Sequence, residues 1–111
     1  MSLRIETLYD PFTEVTMIRE EEMKQGMVAY KDALRFAAGA STREDLAGVE
    51  ESYWIAFNKL RESPLEEHRL ICAECLEAVA RILEGEGRTD AAGDLREQAM
   101  TFRNPRTGVE Q

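Results

Sequence analysis

From Met23 onward the apolar residues of this chain return at intervals of three and four, the spacing that aligns them along one side of an α-helix. That periodicity leaves few alternatives. No segment alternates apolar and polar residues with the period of two that a half-buried strand requires. The predicted class is therefore all-α: a four-helix arrangement of short-looped helical hairpins, preceded by an apolar arm.

Four stripes carry this reading. Met23, Met27, Tyr30, Leu34 and Ala37 mark a first long helix, with Pro11 suited to its first position and Gly39 as its stop. Leu46, Val49, Tyr53, Phe57 and Leu60 mark a second, opened by Ser41 and Glu44 in the spacing of a capping box. The third stripe is Leu65, His68, Cys72, Cys75, Val79 and Ile82, flanked by Leu76 and Leu83. Its start signal is Ser63 as N-cap, Pro64 at the first helical position and Glu66 at the third, and Gly85 with Gly87 supplies a left-handed ending. Ala92, Leu95, Ala99 and Phe102 define the fourth helix, stopped by Asn104-Pro105. The expected spans are 11–38, 42–62, 64–84 and 89–103 within a single domain 1–111, with residues 1–10 as an arm and 104–111 as a flexible tail. Short connections reverse the chain into antiparallel pairs. At Ser63 the link is so short that the second and third helices meet at an angled corner unless Arg61 and Glu62 unwind.

From Leu76 to Asn104 the pattern resembles a tetratricopeptide-type helical hairpin. Leu76, Val79, Ala80 and Leu83 stand where that hairpin's first helix carries its packing residues, Gly87 falls in its turn, and Ala92 and Ala99 match its two small contact positions. Pro105 sits one residue late, and residues 10–63 hold no second copy. The resemblance implies a closely packed antiparallel pair over about a quarter of the chain.

Hydrophobic residues make up 43% of the 111 residues and charged residues 32%, a balance that folds rather than one that leaves a chain disordered. The 22 acidic against 14 basic residues give a net charge of −8. Such a surface repels phosphate backbones, which argues against direct nucleic-acid binding and favours a basic protein partner. No run approaches the ~18 apolar residues of a membrane span, and the first thirty residues lack the order of a secretion signal, so a cytoplasmic location is expected. Cys72 and Cys75 are too close on one helix to close a framework disulfide and are expected to be reduced.

Chemistry-bearing motifs are few. His68, Cys72 and Cys75, at offsets of four and three, place an imidazole and two thiols on one helical face, a low-priority candidate metal site that lacks a fourth ligand. The same residues continue a core stripe, and free cysteine packs as a small hydrophobe. Two turns inside the helix, the thiols are remote from the N-terminus that would activate them. Runs such as Glu20–Glu22, Glu50–Glu51 and Glu66–Glu67 read as solvated faces, because adjacent helical residues point about 100° apart. The Glu-x-x-His pattern of di-iron bundles is absent, since Leu65 precedes His68 by three. Gly85-Glu86-Gly87 carries an acid where a phosphate loop needs donors. No enzymatic activity and no cofactor are expected.

Surplus apolar surface is the stronger signal. Trp54 and Ile55 lie off the second stripe, so that with Tyr53 and Phe57 they form an arc wider than one neighbouring helix covers. Ile5, Leu8 and Phe12 make the arm apolar, and Met17, Met23 and Met27 offer a face that repacks readily. The expected role is a protein-interaction module, homodimeric, that regulates or inhibits a basic or nucleic-acid-binding protein through Ile5, Leu8, Phe12, Met17, Met23, Met27, Tyr53 and Trp54. The alternatives are a small metal-binding protein using His68, Cys72 and Cys75, or a structural subunit of a larger assembly.

Overall fold

In the computed structural model, the described residues are 11–105, with side chains described from Arg19 onward. The arm residues Ile5 and Leu8 and the end of the tail lie outside them, as do the side chains of Phe12 and Met17. Four helices form: α1 (Pro11–Gly39), α2 (Arg43–Leu60), α3 (Glu66–Gly85) and α4 (Thr89–Arg103). Among the described residues there is no strand, and no helix is long and apolar enough to cross a membrane.

Packing follows chain order: α1 on α2, α2 on α3 and α3 on α4. Alternate helices also touch. The Tyr30 hydroxyl of α1 reaches Glu74 of α3, and the Phe57 ring of α2 meets Phe102 of α4 edge-on at 5.5 Å. The result is two antiparallel hairpins laid side by side, α1 with α2 and α3 with α4, in a body only 19 Å through its thinnest dimension. That is the depth of about two packed helices, each some 10 Å across.

The core stripes of α2 and α3 fall where the spacing places them except at their leading residues, Leu46 at 37% and Leu65 at 52% exposed, which stand outside the core. Val49, Tyr53, Ala56, Phe57 and Leu60 are buried on α2, and His68, Cys72, Cys75, Leu76, Val79 and Leu83 on α3. Ala80 of α3 and Ala92 and Ala99 of α4 are all fully enclosed in the shared core. Arg103 forks onto Glu77 at 2.8 Å and Arg96 onto Glu84, clamping this hairpin from its rim. Its turn is a Schellman motif: Arg88 N–H donates to Leu83 O at 2.9 Å, Gly87 N–H to Glu84 O at 2.9 Å, and Gly87 takes φ +84°.

Two local expectations at the helix starts are corrected. The α2 capping box is built one residue later than Ser41 and Glu44: Asp45 N–H donates to Thr42 Oγ1 at 3.0 Å, and the Asp45 carboxylate accepts from Thr42 N–H at 3.2 Å. Ser63 does not cap α3, which starts at Glu66 with Leu65 as an N-cap that makes no side-chain bond. Its Oγ lies 2.8 Å from His68 Nδ1 and accepts from Leu65 N–H at 3.2 Å, so the hydroxyl ties down the corner instead. Arg61 and Glu62 have unwound into the turn that makes room for it.

On α1 the stripe itself is displaced. The residues enclosed against α2 are Gly26 and Ala33, with Ala29 and Ala40 half-buried, whereas Met23, Met27 and Tyr30 are only half-covered and Leu34 is 46% exposed. Small residues let α1 approach closely: a Cβ added at Gly26 would stand 2.8 Å from Leu60 Cγ and 2.9 Å from Lys59 Cβ. The close fit leaves Met27 and Tyr30 of α1 turned sideways, toward α3.

Candidate partner-binding site

Because α1 and α3 both rest on α2, a seam runs between them, and the sideways stripe of α1 forms one of its walls. Two open grooves lie along it. The first is lined by Met27 and Tyr30 of α1 and by Glu66, Glu67, Leu70, Ile71 and Glu74 of α3, with a volume of about 490 Å³. Leu70 is 36% exposed within it, and Glu67 has no ion-pair partner among the described residues. Glu66 faces Arg69 at 3.9 Å, the outer limit of an ion pair. Apolar floor and acidic rim are thus presented together.

The second groove, about 400 Å³, continues the seam toward the C-terminal ends of α1 and α3. Ala37, Leu46, Val49, Tyr53, Ala78 and Ile82 supply its apolar lining, and Arg43 and Arg81 supply positive charge. Neither arginine is ion-paired among the described residues. Between the two grooves stands the Tyr30–Glu74 hydrogen bond, in which the phenol donates to Oε1. Burial first, and then the adjacent carboxylate of Glu74, push the Tyr30 hydroxyl well above its ordinary pKa, so it remains a donor at any physiological pH.

The sequence-predicted binding residues divide. Met27 lines the first groove, and Met23 is half-buried beside Lys59 and Glu62 at a separate cleft where α1 meets the end of α2. Tyr53 is core, 5% exposed, as its stripe position requires, with one surface at the floor of the second groove. Trp54 is half-buried: its ring stands edge-on to Phe57 at 5.8 Å, and Nε1 donates to Glu50 Oε2 at 3.4 Å. Leu70, Ile71 and Arg81, which no sequence motif marks, and Glu67, expected only as part of a solvated face, are brought to the seam by the α2–α3 corner, which no short-range pattern specifies.

His68, Cys72 and Cys75 go to separate partners. His68 bonds Ser63, Cys72 Sγ points toward Phe57 O at 3.9 Å, and Cys75 is enclosed in the core. Burial raises the Cys72 thiol to about 11 and the Cys75 thiol to about 12. Among the described residues no three His, Cys, Asp or Glu side chains are placed to hold a metal ion.

Fold and seam together define an all-α protein of two stacked helical hairpins with a polarised groove between its first and third helices. No family model, curated protein or solved structure matches the chain.

Proposed function

We propose that this chain is a protein-interaction module that holds a segment of another protein in the α1–α3 seam and regulates that protein by covering it. The observation that carries the reading is the half-covered apolar wall of Met27, Tyr30 and Leu70 beside unpaired carboxylate, a surface that costs solvation and gains nothing within the chain itself. Burying two or three such side chains at ~1.5–3 kcal/mol each is enough for micromolar affinity once association costs are met. A net charge of −8 steers basic surfaces toward it. A DNA- or RNA-binding regulator is the partner class that fits, because occupying its basic patch competes with phosphate.

The same reading includes a homodimer. Val28, 57% exposed, and Phe36, 51% exposed, leave apolar surface on α1 away from the seam. Sedimentation equilibrium over a wide concentration range separates a closed dimer from a monomer or from open-ended association.

The test is affinity capture with the full chain, followed by the same capture with Met27→Glu and Leu70→Glu, with helicity and Tm measured on each variant because Met27 is half-buried against the core. A stoichiometric partner lost in both variants supports the proposal. Capture that survives both charges in the seam removes it.

A further inference from the structure

The seam's two grooves differ in charge, and that difference specifies what fits. We infer that the occupant is a segment of another protein with two apolar anchors, a Lys or Arg beside the first and an Asp or Glu beside the second, bound in one fixed direction. The inference rests on the interaction-module reading above and adds the chemistry and polarity of the bound segment.

Along α3 the face toward the seam runs Glu67, Leu70, Glu74, Ala78 and Arg81, a spacing of three and four that keeps these residues on one side of the helix, with Ile82 next to Arg81 at its edge. Charge changes sign along that face: acids line the first groove, and Arg81 with Arg43 line the second. Glu86 also borders the second groove and faces Arg88 at 3.8 Å, just as Glu66 of the first faces Arg69 at 3.9 Å, so the groove charges without an ion-pair partner among the described residues are Glu67 in the first and Arg43 and Arg81 in the second. Leu70 and Ile82, one in each groove, are separated by about 18 Å at 1.5 Å per helical residue, which sets the distance between the anchors.

Reversal of the bound segment would set like charges against each other at both ends, and like-charge juxtaposition is the costly element that fixes register and direction. A second copy of this chain is a poor occupant, because its charge of −8 opposes the acidic groove. Strand addition has no template, since the described residues contain no sheet edge.

The experiment is selection of a random 16-residue peptide display library on the full chain, followed by fluorescence polarisation of the enriched peptides. Expected are peptides with two apolar clusters and opposite charges at their ends. Their affinity should fall about tenfold with Glu66→Lys/Glu67→Lys and again with Arg43→Glu/Arg81→Glu, in a salt-dependent manner. Swapping the charged ends of the peptide should restore binding to the chain carrying all four reversals. Enriched peptides without charge asymmetry, or indifferent to both pairs of substitutions, overturn the inference while leaving an interaction module standing. A library yielding no peptide above background overturns both.

Discussion

Tyr30 on α1 and Glu74 on α3 are 44 residues apart in the chain, yet the phenol of one donates to the carboxylate of the other across the seam. The bond ties together two helices that otherwise both lean on α2. Tyr30→Phe removes the donor and keeps the ring. The expected cost is about 1 kcal/mol, the worth of one partly exposed hydrogen bond, read as a lower urea midpoint at unchanged slope. Hydrogen exchange should quicken in α1 more than in α4.

Gly26 and Gly48 both sit inside helices and should respond oppositely to alanine. At Gly48 a methyl meets nothing within 4 Å, so Gly48→Ala is expected to stabilise by about 0.5–1 kcal/mol through helix propensity alone. At Gly26 the new Cβ presses on Leu60 and on the Cβ of Lys59, an atom fixed to the backbone. Overpacking of about 1–3 kcal/mol outweighs the gain of about 1, and Gly26→Ala should destabilise. Equal stabilisation by both would refute the close approach of α1 and α2.

The displaced capping box gives a sharp pair. Thr42→Ala should cost about 1 kcal/mol by freeing the Asp45 N–H, while Ser41→Ala should cost less than about 0.5. Thermal unfolding of the two single variants decides which residue begins α2.

Acid and alkali should each weaken the fold, for different groups. Hydrogen bonds from Arg103 hold Glu77 below the usual carboxylate range, those from Arg96 hold Glu84 below it, and the Ser41 and Thr42 N–H groups do the same for Asp45. A lowered folded-state pKa gives stability that is complete above the unfolded value near about 4 and is lost as pH falls through the folded one. Cys72 and Cys75 are raised by burial to about 11 and about 12, so their contribution is complete below about 8.5 and fades as pH climbs toward those values. Tm measured against pH should therefore be flat near neutrality and fall below about pH 4 and above about pH 9. At pH 7 a disulfide reagent should label both thiols only as fast as the protein opens; rapid labelling of the folded chain would contradict their burial.

Much of this architecture was legible in local pattern. The stripes of α2 and α3, and the Gly87 turn, depend on spacing and backbone conformation that neighbouring residues determine. The α1 face was not, because Met23, Met27, Tyr30 and Leu34 form as regular a row as any core stripe. The choice between that row and Gly26, Ala29 and Ala33 is made by how closely α2 approaches, a tertiary quantity. Gly26 with Ala29 and Ala33 at offsets of three and four was the available signal for a close contact. Ser63 misled for a related reason: a start signal read along the chain competes with His68, which only folding brings to its hydroxyl. The seam, made by two helices that are not chain neighbours, was invisible except for Met27 and Tyr53. Trp54 drew attention by residue type and proves to pack against Phe57.

Since each helix draws its packing chiefly from the helix before or after it in the chain, the loops closed during folding are short, and assembly should be fast for a protein of this size. Damage should also stay where it is made. A lesion in the first hairpin ought to loosen α1 and spare the clamped α3–α4 pair, so that loss of structure proceeds piecemeal from one edge, as beads come off a string.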